Sequence, residues 1–180
     1  MIHETAIIYD GVEIGENVTI GPYCIIGAPA EHKTAKQRSA GVRIMDGAVL
    51  HGHVTVDSGT DGLTVIGRNA YLMKHVHVGH DCTIGDEVTA APHACFGGHV
   101  TAGNMSNFGM HAVIHPRVVI GEGAMIGAGC VVVKGQRIEP WRTYVGVPAN
   151  DVGWNSVGMD RNGVTFTSMG VMKLKWNLGE

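Results

Sequence analysis

Residues 66–101 read IGRNAY LMKHVH VGHDCT IGDEVT AAPHAC FGGHVT, set out six to a block. Every block opens on an apolar residue: Ile66, Leu72, Val78, Ile84, Ala90 and Phe96. The same step continues through Ala102, Phe108, Ile114, Ile120, Ile126, Val132 and Ile138. Four positions further on stand Ala70, Val76, Cys82, Val88, Ala94, Val100, Ser106, Ala112, Val118, Ala124 and Cys130, all small or moderately apolar. Glycine often follows the first position, as at Gly67, Gly79, Gly85, Gly97 and Gly103. Upstream, the phase runs through Ile8, Ile14, Ile20 and Ile26, then Ile44, Leu50 and Val56.

A short period held this long marks a solenoid. Each hexad supplies one short strand and a bend, with two side chains pointing inward. Three hexads close a triangular lap of eighteen residues, and laps stack at roughly 4.8 Å. The expected fold is all-β, a single-stranded parallel β-helix over residues 1–149. Register breaks predict external loops at 28–42, which carries Lys33 and Lys36, and at 57–63. Residues 150–180 lack hexads and form a C-terminal extension, expected to hold a turn near Trp154 and a strand pair at 164–167 and 171–174.

Composition narrows the function. The chain has 180 residues, 27 glycines and 6% aromatics, which suits a narrow repetitive core. Its net charge of −3 argues against general nucleic-acid binding. No apolar run reaches the length of a membrane span, and the start lacks the pattern of a secretory signal, so the expectation is a cytoplasmic protein without integral membrane association. Four cysteines without CxxC spacing indicate neither a zinc ribbon nor a redox pair. Cys24, Cys82 and Cys130 fall at inward positions and read as core.

The eighteen-residue lap also places chemistry. One lap beyond His80 is Gly98, flanked by Gly97 and His99, and a further lap brings His115 and Pro116. An imidazole beside a bare glycine amide is what acyl transfer needs. The ring takes the proton of an attacking hydroxyl or amine, and the amide holds the oxyanion. His75, His93 and His111 should form one outward column, and Asp81, His99 and Arg117 a second; both read as edges where subunits of a trimer meet. His3, His32, His51 and His53 read as ordinary surface residues, and Asp57 and Asp61 as turn formers.

The stretch from Leu72 to Gly85, with Phe96-Gly97-Gly98-His99-Val100 and Val113-Ile114-His115, resembles the UDP-N-acetylglucosamine O-acyltransferases of lipid A synthesis. The similarity covers most of residues 1–163. It implies the left-handed β-helix of hexapeptide transferases, a homotrimer, no bound cofactor or metal, and two co-substrates: a UDP-amino-sugar and an acyl thioester, such as a 3-hydroxyacyl chain on acyl carrier protein. It further implies that His80 is the base, Asp81 its dyad partner and Gly98 the oxyanion donor. His77, His99 and His115 line the cleft. Lys33 or Lys36 serves the nucleotide phosphates, and Asn155 and Arg161 serve the acyl chain or its carrier. Departures from the family are Val157 for a carboxylate, Asn162 for an arginine, Pro116 for a glutamine, and Ala128 at a glycine that lets a long acyl chain pass. The resemblance stops short of the family's C-terminal helical domain.

Two other readings share the fold. Gly146-Val147-Pro148-Ala149 followed by Gly153-Trp154 also resembles acetyl-CoA-dependent N-acetyltransferases of nucleotide-linked amino sugars. In γ-class carbonic anhydrases zinc is held by three histidines, for which His75 and His80, with His51 upstream, have a suitable offset.

Overall fold

The computed structural model describes residues 1–31 and 39–165. Its strands are short, mostly two residues, and build three parallel sheets of seven, seven and eight strands. Together they form a parallel β-solenoid of about seven turns. One wall holds Ile7–Ile8, Ile25–Ala28, Thr55–Asp57, His77–Val78, Cys95–Phe96, Val113–Ile114 and Val131–Val132. Where the repeat is uninterrupted, partners lie one eighteen-residue lap apart, as in His77 with Cys95, Thr83 with Thr101 and Thr89 with Asn107.

Both register breaks appear as longer laps. Across the first loop the offset is 30 residues, as for Glu13 with Arg43, which is one lap plus two hexads. Across the second it is 22, as for Thr55 with His77, which is one lap plus four residues. The core register on either side of both insertions is kept. The interior of the first loop, with Lys33 and Lys36, lies outside the described residues.

The inward residues are buried as the periodicity requires. Every first-position residue from Ile66 to Ile138 and every small residue four further on is buried. Ser106, a polar member of the inward set, donates its hydroxyl to Gly103 O at 2.7 Å. Cys82 gives its thiol to Gly97 O at 3.1 Å, and burial pushes that thiol up to about 12, far from nucleophilic use.

Each hexad turns its corner at one residue with positive φ. The series runs Asn69, His75, Asp81, Glu87, His93, His99, Met105, His111 and Arg117, with φ between 52° and 66°. Side chains pay a steric cost in this conformation. At the corners it is offset by backbone bonds to the preceding lap, such as His99 N–H to His80 O and Arg117 N–H to Gly98 O, while Asp81 N–H bonds the Thr64 hydroxyl.

The C-terminal extension differs from expectation. Arg142–Val145 ends the eight-stranded wall and is met antiparallel by Asn150–Trp154. A helix, Ser156–Arg161, follows and buries Met159 against Trp141. The expected pair at 164–167 and 171–174 lies, beyond residue 165, outside the described residues. Its signal was local alternation. The strand at Asn150–Trp154 forms because it caps an open sheet edge.

Phe96 is wholly buried and meets Phe108 edge-on at 4.7 Å. Phe96→Ala should cost about 3–5 kcal/mol in denaturant unfolding, because a stack of short strands has little freedom to collapse around the void.

Candidate active site

His77, His80, Asp81, Gly98 and His99 are brought together on one corner of the solenoid and the wall leading into it. The His80 ring lies over Gly98: a Cβ built on that glycine would stand 2.5 Å from His80 Nε2. The residue is glycine because the imidazole occupies the space of a side chain. Gly98 O accepts from Arg117 N–H. Among the described residues no protein group accepts from Gly98 N–H. At a matching corner Asp86 N–H is capped by the Asn104 side chain one lap on. The residue one lap beyond Gly98 is Pro116, which has no acceptor in its side chain.

His80 Nδ1 lies 2.6 Å from Asp81 Oδ2. A carboxylate only accepts, so Nδ1 carries the proton and the lone pair of the neutral ring sits on Nε2, the edge facing Gly98. Asp81 is only 6% exposed at its side chain. Its charge is held by the second loop: Thr60 N–H donates at 2.9 Å, Thr60 Oγ1–H at 2.8 Å, Asp61 N–H at 2.9 Å and Gly62 N–H at 2.9 Å. Burial alone would raise this carboxyl. The donors from His80, Gly62, Asp61 and Thr60 outweigh it and hold the group well below the usual carboxylate range.

The other cleft histidines surround this pair. His99 Nε2 stands 3.8 Å from Asp81 Oδ2, and its ring meets His80 edge-on at 5.0 Å. Burial, with Arg117 and His80 nearby, lowers its pKa against the pull of Asp81, so the ring is neutral at neutral pH. His77 Nδ1 bonds Thr55 Oγ1 at 2.8 Å, and its Nε2 faces Asp57 Oδ2 at 3.9 Å. His115 is exposed one lap past Gly97, its Nδ1 near Pro116 O at 3.1 Å.

Asn155 has a structural task. It caps the helix by accepting from Gly158 N–H at 3.1 Å and ties it to the solenoid by donating to Gly123 O at 2.9 Å. Arg161 sits exposed at the far end of that helix.

Sequence reasoning missed three features. Thr60 was indistinguishable from turn residues, although its loop interrupts the repeat one lap before Asp81. Asp57 is buried on the wall below His77 and forms no turn. His53 belongs to a ladder of stacked rings, Tyr23, His53, His75, His93 and His111, with centroids 4.7–5.1 Å apart. The ladder confirms the first outward column and lengthens it by two rings. Nor is His51 an ordinary surface residue: its Nε2 is buried without a partner, and its ring lies edge-on to Tyr71.

The anhydrase-like set is not assembled. His75 is stacked within the ladder and His51 lies against Tyr71. Among the described residues the potential metal ligands that gather are His80, Asp81 and His99, within 4.8 Å of one another. Asp81 there is already engaged by Thr60, Asp61, Gly62 and His80.

These walls and corners define a hexapeptide-repeat solenoid. Residues 63–98 match the bacterial transferase hexapeptide family (six repeats), and residues 101–137 match the hexapeptide repeat of succinyl-transferase. More particularly, its relatives are acyl-carrier-protein-dependent UDP-N-acetylglucosamine O-acyltransferases. That of Thermodesulfovibrio yellowstonii is 35% identical over 92% of this chain and 65% of its own length. That of Campylobacter concisus is 34% identical over 89% and 62%. The solved UDP-N-acetylglucosamine acyltransferase of Campylobacter jejuni is 28% identical, with a TM-score of 0.75 over 89% of this chain and 77% of that one. The chain spans about three fifths of the length of several curated relatives.

Thr60→Val removes one of the donors on Asp81. A hydrogen bond to a buried charge is worth about 1.5–3 kcal/mol. The depressed pKa of Asp81 means that its stabilising contribution is present above the ordinary carboxylate range and lost as pH falls through the folded value. Thr60→Val should therefore begin acid unfolding at higher pH, Thr60→Ser should restore the parent curve, and circular dichroism against pH reads both.

Proposed function

We propose that this protein is an acyltransferase that moves an acyl group from a thioester onto a UDP-amino-sugar of the UDP-N-acetylglucosamine kind, by direct attack. The observation that carries the reading is the His80 ring, proton on Nδ1 and lone pair on Nε2, set against the uncapped Gly98 N–H. The sugar hydroxyl gives its proton to Nε2 as its oxygen attacks the thioester carbonyl. The oxyanion is received by Gly98 N–H. As the carbonyl re-forms, the C–S bond breaks and the imidazolium returns the proton to the thiol. Asp81 fixes the tautomer and supports the transient cation without taking the proton. His77, His99 and His115 line the acceptor and carrier side of the cleft, and Lys33 or Lys36 meets the nucleotide phosphates. Asn155, which caps the helix, and Arg161, exposed at its far end, serve the acyl chain or the carrier's phosphopantetheine.

The donor is an acyl chain on acyl carrier protein, with acyl-coenzyme A as the competing carrier; the curated relatives bear the former in their names. Ala128 backs onto Gly109, where even an added Cβ would lie 2.5 Å from Ala128 N. Ala128 stands where the resemblance expects a glycine, and its methyl group supports a shorter acyl chain. Among the described residues no helix is long and apolar enough to cross a membrane, and the proposed compartment is the cytoplasm, where both co-substrates are found.

His80→Ala should lower kcat by about 10²–10⁴-fold with the fold intact, measured by thiol release and circular dichroism. Near-normal turnover in that variant would remove the reading.

The working unit is proposed to be a homotrimer, which would cover the exposed ring ladder and the exposed Met110 and Val113. Sedimentation should give three chains per particle, and a stable monomer at assay concentration would contradict this.

A further inference from the structure

The wall below His77 holds a cavity of about 320 Å³ lined by Ile25, Ala28, Glu31, Thr55, Asp57 and His77. This volume is enough for part of a sugar ring. Asp57 lines it and is only 8% exposed. His77 Nε2 stands 3.9 Å from its Oδ2, beyond hydrogen-bonding distance, and among the described residues no group donates a hydrogen bond to its carboxylate. Glu31 adds a second carboxyl to the same cavity, and among the described residues no lysine or arginine lines it. Burying a carboxylate without a partner is costly, and the cost is recovered when a ligand supplies the missing donor and charge. Burial, reinforced by Glu31, pushes the Asp57 carboxyl up against the opposing pull of His77 and His80. A cation arriving in the cavity would reverse that push.

We propose that Asp57, flanked by Glu31, is a specificity-determining residue that receives a free, protonated amine on the acceptor sugar. The proposal rests on the acceptor reading of the His77 cleft and sharpens it. The preferred acceptor is a UDP-linked amino sugar that keeps an unacylated amine, and UDP-N-acetylglucosamine, whose nitrogen is acetylated, is a weaker ligand. A hydroxyl would supply a hydrogen bond to Asp57 and leave its charge unpaired. The ammonium supplies both.

The test is calorimetric titration of the full chain at neutral pH with three nucleotides. These are UDP-N-acetylglucosamine and its analogues with an amine in place of the ring hydroxyl at carbon 3 or at carbon 4. One of the amino analogues should bind at least about tenfold more tightly than the parent. Asp57→Asn should abolish that preference, and Glu31→Gln should weaken it. Asp57→Asn should also raise the melting temperature, because at neutral pH it removes a buried unpaired charge. A fall in melting temperature would instead show that Asp57 is structural, and would overturn the proposal. So would equal or tighter binding of UDP-N-acetylglucosamine, or a preference that survives in Asp57→Asn. If none of the three nucleotides binds, the proposal and the acceptor reading fall together. Binding needs no turnover, so a failure of His80 as base leaves this comparison standing.

Discussion

Everything in this molecule depends on one corner conformation repeated every six residues. A residue with positive φ ends each short strand, turns the chain, and bonds to the corner of the lap below. Because three corners make one lap, side chains eighteen apart in sequence become vertical neighbours. This rule stacks His75 on His93 at 4.7 Å with the rings almost parallel. It also lays the His80 imidazole against the Gly98 backbone. The ring ladder and the proposed catalytic pair are thus two products of one constraint, on two different corners.

Much of this was legible in the chain because the period is short and its consequences are additive. Counting by six found the core, and counting by eighteen found the pairing of His80 with Gly98 and both outward columns. The method fails where the count does. The four-residue insertion after Asp57 shifts the neighbour of His77 from eighteen residues away to twenty-two, so Thr55 and Asp57 stand beneath His77 at positions that no fixed step reaches. Thr60 was hidden for the same reason. The capping task of Asn155 was hidden differently: it is a local contact to a helix and to Gly123 O that no step of six or eighteen reaches. The ladder was half seen, since the 30-residue lap across the first loop separates Tyr23 from His53.

The insertion is more than an interruption. A carboxylate beside a catalytic imidazole is useful while ionised, and at 6% exposure it would resist ionisation. A hexad corner offers few donors to correct this, because its own N–H groups are committed to the neighbouring laps. Extra residues supply new ones. Thr60, Asp61 and Gly62 turn three consecutive backbone N–H groups onto the Asp81 carboxylate, with the Thr60 hydroxyl as a fourth donor. Such a run of convergent amides is an anion-binding nest, here closed around a side chain of the same protein. The break in the repeat therefore lies one lap from the residue that needs it.

The same stretch of chain leaves a second acid without this help. Asp57 opens the insertion and Asp81 is held by its middle, so the two carboxylates lie near a common loop and are comparably buried. Their environments push them in opposite directions. Donors outweigh burial at Asp81, whereas at Asp57 burial outweighs the nearby histidines. The amides of Ser58 and Gly59 are committed to backbone carbonyls and those of Thr60, Asp61 and Gly62 to Asp81, so the loop satisfies one acid. An acid left unsatisfied next to a cavity destabilises the free protein, and such a residue persists where a ligand completes it. One carboxyl is saturated by the protein and set against an imidazole, whereas the other is left open to a cavity.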